Sequence, residues 1–337
     1  MRFSEFTDNE NNNNHEELNM TKKATDKTYL ESLCMALVQC ESGLDVKKIL
    51  KANGLWDDDA NWIPVGAKIG ETYRNNNASI IQGQQADSVG SLVDNLCNCS
   101  DSALMLKCVL HGVDPKGDSA PGSVTEAKEM FLGAKNGKWI DSDPIEMGKL
   151  GEEFSMLIAT GEKPRGNGAT KNVRAANPTY TIVDQAEGQH PEDFPTTFLG
   201  LTLKNKTEIP FVQGKFAMGG LGVANHVTED VHLILSKRNP ALVEDPKKRN
   251  AWGWTIVRKN EPTANSRLPE WVYLVIDDKI PSFEKESLPI LPGKYPNPYG
   301  KAFKYGTFKK LYNYDIGSGY RSNITLDLWK RLNRSLI

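Results

Sequence analysis

The hydrophobic period of this chain changes near its midpoint, and that change limits the folds open to it. In the first half apolar residues recur at helical spacing. Residues 29–39 (YLESLCMALVQ) put Leu30, Leu33, Leu37 and Val38 on one stripe. Residues 45–52 predict a second short helix, stopped by Asn53-Gly54. Residues 56–77 read as irregular, with a hairpin through 62–69. The clearest helix covers 91–112, with a start signal at Ala86-Asp87-Ser88 and Gly112 as its stop. Residues 124–132 and 144–159 predict further helices. In the second half, 180–183, 232–236, 254–258, 271–276 and 307–314 are rich in β-branched and aromatic residues and predict strands. Residues 323–336 predict a closing amphipathic helix. Helices first and strands later imply an α+β fold, with helices on one face of a mixed, largely antiparallel sheet.

The chain has 337 residues, 39% of them apolar, enough for a core at this length. Its 41 basic and 43 acidic residues leave a net charge of −2, which gives no electrostatic footprint for nucleic acid. Residues 1–27 are polar, with asparagine at 11–14, and read as a disordered leader without the basic start and apolar centre of a signal peptide. Residues 28–337 read as one domain, with a helical extension over about 28–87. No apolar run reaches the ~20 residues of a membrane span, so the expected location is cytoplasmic. Cys34, Cys40, Cys97, Cys99 and Cys108 lack zinc-finger spacing and read as buried thiols.

Three segments carry chemistry. Asp94, Asn98 and Asp101 stand at i, i+4 and i+7, so they share a helix face. A carboxylate and an amide oxygen one turn apart suit magnesium, which takes hard oxygen ligands. The same spacing also arises in a solvated polar stripe. The second segment is YTIVDQAEGQHP, where a strand runs into Asp184. An acidic group there can accept a proton from an adenine amino group while the backbone at Gly188 lies close to the ring. The third is QGKFAMGGLG, with glycines at 214, 219, 220 and 222. Such a run can turn successive N–H groups toward phosphate oxygens, with Lys215 adding charge. It is not a Walker A loop, because no Gly-Lys-Ser/Thr ends it.

In order and spacing these segments resemble the GHKL, or Bergerat-fold, ATPases: gyrase B, the heat-shock chaperones, the histidine kinases and MutL. Asp94 and Asn98 match the Glu and Asn of that family's helix box, and Asp184-Gln185-Ala186-Glu187-Gly188 matches its Asp-x-Gly-x-Gly box. Residues 214–222 match its ATP lid, and Gly306-Thr307 its late Gly-Thr strand. The resemblance implies a two-layer sandwich that binds ATP with magnesium. Asp184 would bond the adenine, supported by Thr307. Asn98 would hold magnesium, with Asp101 beside it, and Asp94 would act as base. Gly188 and Ala186 would border the base, while Gly214, Lys215, Met218, Gly219, Gly220, Leu221 and Gly222 would enclose the phosphates. It further implies slow ATP hydrolysis coupled to an ATP-dependent homodimer, or to a cation from a transducer domain or partner.

Two departures bear on activity. Asp94 is one methylene shorter than the family's Glu, and Ala186 replaces a glycine with a methyl expected to face the nucleotide. They leave a second reading open, a nucleotide-binding switch with negligible turnover. Among other polar residues, His190 and His226 read as structural, with His190 in a surface turn. Lys163, Arg165, Lys171 and Arg174 read as a solvated basic loop, and Lys204 and Lys206 precede the lid.

Overall fold

The computed structural model describes residues 26–71, 77–83, 87–138, 143–160, 177–201, 206–214, 219–243, 250–261, 269–294, 297–316, 328 and 330–332. The leader up to residue 25, the basic loop around 163–174, Lys204 and most of the closing helix lie outside the described residues, although 328 and 330–332 are helical.

The first helices begin where capping side chains occur. The Asp26 carboxylate accepts N–H bonds from Thr28 and Tyr29 and starts α1 (Lys27–Gln39). Ser42 caps α2 (Gly43–Ala52), and α3 covers Asn77–Gln82. Asp87 caps α4 (Ser88–Leu110), which ends at Gly112 with φ +71°, a left-handed stop suited to glycine. α5 covers Val124–Leu132. α6 (Pro144–Phe154) is shorter than the sequence predicted. After Ser155 the chain extends as β2 (Met156–Thr160), because the apolar run MLIAT pairs along the next strand. The hairpin expected through 62–69 is also absent. β1 (Trp62–Pro64) pairs instead with a strand about two hundred residues later.

The remaining strands are β3 (Thr179–Asp184), β4 (Val231–Lys237), β5 (Trp252–Asn260), β6 (Glu270–Leu274), β7 (Ser282–Phe283), β8 (Leu288–Leu291), β9 (Lys301–Phe303) and β10 (Gly306–Leu311). The main sheet runs β1-β6-β5-β4-β10-β3-β2, with β7 also paired to β5, and its pairs are all antiparallel. β8 and β9 form a separate two-stranded sheet. The α+β class holds, with an antiparallel rather than mixed sheet.

The strands bury both faces, and this adds a layer to the expected two. Tyr180, Ile182, Ile234, Val257, Tyr273 and Leu311 pack beneath α3 and α4. The alternate residues Val183, Leu233, Leu235, Trp254, Ile256 and Phe308 pack against α1 and α2. Helices therefore cover both faces rather than one. Polar atoms bind the N-terminal layer: the Tyr312 hydroxyl donates to the Leu37 carbonyl, and Lys310 Nζ donates to that of Val38. The Arg258 guanidinium lies between the rings of Trp56 and Trp62, at 4.4 and 3.8 Å.

Candidate functional site

The site lies where the end of β3 meets β10, beneath α4. Thr307 stands opposite Asp184 in the β3–β10 ladder, with Ser236 on its other side. Alternation along β10 then sends Lys309 to the same face as Thr307, and Lys310 to the other. α4 brings Asn95, Asn98, Cys99 and Asp101 over this corner.

Asp184 is 4% exposed. Its carboxylate accepts the Ala186 N–H at 3.2 Å, and that bond, the Thr307 hydroxyl and the Cys99 thiol all favour its ionised form. Burial nevertheless pushes its pKa up to about 7, since desolvation outweighs them. Burial also raises Glu187, against the nearby Lys206 and Arg238 cations.

The loop after Asp184 is held at several points. Ser102 Oγ accepts the Glu187 N–H, Ser236 Oγ accepts that of Gln189, and the Glu187 carbonyl accepts that of Asn239. Gly188 has φ +59°, and a Cβ there would overlap the Lys237 carbonyl. Gly306 has φ +114°, and its Cβ would overlap the Asp184 carbonyl. Both positions require glycine. Ala186 differs from expectation. It is fully buried among Ala103, Leu106 and Leu242, so its methyl turns into an apolar cluster rather than toward a ligand.

The glycine-rich segment meets α4. The Asp101 carboxylate is 1% exposed and accepts the N–H groups of Gln213 and Gly214 at 2.9 and 2.8 Å. Its oxygens anchor the start of the glycine-rich segment, a structural task distinct from the ligand contact expected of it. Asn98 is half-buried, and a Cβ at Gly214 would come within 2.5 Å of its Oδ1. Lys215 and Met218 lie outside the described residues. Residues Gly219–His226 form a 3-10 run that includes Gly219, Gly220, Leu221 and Gly222. Leu221 is core, packed with Val223 and Ala224 beneath α4. Asp94 lies one turn before Asn98, half-buried.

No protein-family model matches the chain, and no curated protein matches it. A functional reading therefore rests on these residues.

Sequence reasoning missed Asn95, Cys99 and Lys309. The Lys309 ammonium donates to Asn95 Oδ1 at 2.8 Å and to the Gly220 carbonyl at 2.7 Å. The available signal was period two along β10, which puts residue 309 on the face of residue 307. His190 is buried, not in a surface turn. His226 packs edge-on against Tyr314, a structural contact. The five cysteines are free thiols, and Trp252, Trp254 and Trp271 are core.

Proposed function

We propose that this chain binds ATP together with magnesium and hydrolyses it slowly, as a member of the GHKL group. The observation that carries the reading is the corner formed by Asp184, Thr307, Gly188 and Gly306. A buried carboxylate is held at a strand end, and two positive-φ glycines keep the backbone around it free of side chains. Such a group discriminates for a base that donates a hydrogen bond, because burial makes an unmade hydrogen bond expensive. Ala186 does not weaken this reading, since its methyl is directed elsewhere.

Among the described residues no cluster of three His, Cys, Asp or Glu side chains could hold a metal. The donors therefore fit a magnesium that arrives with phosphate, ligated from the protein by the Asn98 amide oxygen, and not a resident ion. Magnesium would neutralise charge on the phosphates. Asp94 would orient or deprotonate the attacking water. No helix among the described residues is long and apolar enough to cross a membrane. ATP-dependent pairing of two copies, or docking of a transducer partner, remains part of the proposal.

Calorimetry with a non-hydrolysable ATP analogue and magnesium tests binding, and phosphate release by wild type, Asp94→Ala and Asn98→Ala tests turnover. Equal release by all three removes the catalytic roles. The shortened carboxylate of Asp94 motivates the second reading, a switch with negligible turnover. Thermal stabilisation by ATP without phosphate release favours it, and a rise in turnover with Asp94→Glu identifies the missing methylene as the brake.

A further inference from the structure

β10 carries two adjacent buried lysines with opposite surroundings. Lys310, on the face covered by α1, is fully buried and satisfied from within. Its ammonium donates to the Val38 carbonyl and the Tyr299 hydroxyl, lies over the rings of Tyr299 and Tyr312, and has Glu41 Oε1 at 3.5 Å. These contacts account for a structural lysine. Lys309, on the face covered by α4, is 7% exposed and bonds two neutral oxygens, on Asn95 and Gly220. Among the described residues it makes no ion pair, and Asp184 acts on it only at a distance. An ammonium held out of water is costly unless an opposite charge meets it. Its position identifies the missing charge. A Cβ at Gly220 would lie 3.8 Å from both Lys309 Nζ and Asn98 Nδ2, so the lysine and the proposed magnesium ligand flank one lid glycine.

We propose that Lys309 binds the phosphate tail of the nucleotide, its ammonium exchanging the Gly220 carbonyl for a phosphate oxygen. The inference rests on the nucleotide reading above. It adds a cation from within the chain, beneath the lid rather than upon it. Asn95 holds the other side of the ammonium and is a positioning residue.

The test compares Mg-ATP with adenosine by calorimetry on the full chain, using wild type, Lys309→Met and Lys309→Arg. Methionine keeps the length of the stem and removes the charge. In Lys309→Met, ATP affinity is expected to fall roughly tenfold to a hundredfold, the range of a charge-assisted hydrogen bond. Adenosine affinity stays at the wild-type value, and Lys309→Arg restores much of the preference for ATP. Unchanged ATP affinity in Lys309→Met overturns the inference and leaves the nucleotide reading standing. So does an equal loss for ATP and adenosine, which marks a structural role. Wild type that binds neither ligand overturns both readings.

A wild-type measurement keeps the test independent of whether the variants fold. Burial lowers the Lys309 pKa to about 8, and the titratable groups facing it are Cys99 on α4, Asp184 on β3 and His232 on β4. Cys99 is raised well above its usual range, Asp184 titrates at about 7 and His232 at about 3. Above pH 8 the lysine is therefore the group that changes charge. ATP affinity should fall as pH rises from 7.5 toward 9.5 while adenosine affinity holds, and parallel curves for the two ligands overturn the proposal.

Discussion

Thr307 faces Asp184 across the β3–β10 ladder, and its hydroxyl favours the ionised form of the buried carboxylate. The pair joins segments that lie 123 positions apart in sequence, a separation that the two residue numbers give directly. If the carboxylate reads the base, Asp184→Asn should weaken ATP binding roughly tenfold to a hundredfold, since an amide presents a donor where an acceptor is needed. Thr307→Val keeps the strand and removes one supporting hydroxyl, so its loss should be smaller. Titration calorimetry measures both, and ATP binding by Asp184→Asn at wild-type strength would sink the assignment of the base site.

Two glycines, one at this corner and one in α6, separate backbone demand from helix propensity. Gly306→Ala forces a methyl against the Asp184 carbonyl at a φ that L residues rarely adopt. It should destabilise the protein by about 1–3 kcal/mol, through strain and overpacking. Gly148, within α6, has open space around its Cβ position. Gly148→Ala should stabilise by about 0.5–1 kcal/mol. Urea unfolding of both variants checks the contrast, and equal signs would refute it.

Elements with local signals were legible in the sequence. Asp87 and Gly112 bracket α4, and 124–132 is α5 at the boundaries the sequence predicted. Elements fixed by distant pairing were not. β2 follows α6 with only Ser155 between them, so its apolar residues read as more helix until β3 is there to pair with. β1 has three residues, and β6 specifies it. The second helical layer was unreadable for a related reason. Strands buried on both faces and strands buried on one differ only in whether alternate positions are apolar, and β3 and β4 bury polar residues, Thr179, Thr181, His232 and Ser236, that break the apolar run. Within the site, Asp184, Gly188 and Asn98 stood out by residue type. Lys309 did not, because a strand lysine ordinarily faces solvent, and its burial depends on α4 and the glycine-rich segment packed over it. The role of Asp101 was hidden likewise, since its partners are backbone N–H groups, which residue identities do not mark.

Asp101 holds the first residues of the glycine-rich segment by two charge-assisted bonds. Asp101→Ala leaves two N–H groups without that acceptor, and local protection at Gln213 and Gly214 should fall by about 1.5–3 kcal/mol. Amide hydrogen exchange followed by NMR reads this directly. The two amides should exchange faster while those in the middle of β4 and β5 keep their protection. Unchanged exchange at 213 and 214 would show that the carboxylate does not restrain the segment.

The raised pKa of Asp184 also fixes the sign of a stability effect. Its ordinary value is 3.8, and burial in the folded protein moves it to about 7. Between those values the folded state keeps a proton that the unfolded chain has released. The folded state then binds more protons, so this group's contribution to stability falls as pH rises from about 4 to about 7 and is level above that. Asparagine cannot ionise and escapes the loss. The melting temperature of Asp184→Asn relative to wild type should therefore climb between pH 4 and pH 7 and then hold. Glu187 is raised by burial as well, but it is present in both proteins and largely cancels in the difference. A base whose amino group donates a hydrogen bond to the carboxylate favours its ionised form, so nucleotide binding near pH 7 should expel protons to the buffer. Calorimetry in two buffers of different ionisation enthalpy detects that release, and it should vanish in Asp184→Asn. A melting difference independent of pH, together with no proton release in wild type, would place the Asp184 carboxylate in its ordinary ionised state and remove the linkage between this corner and its ligand.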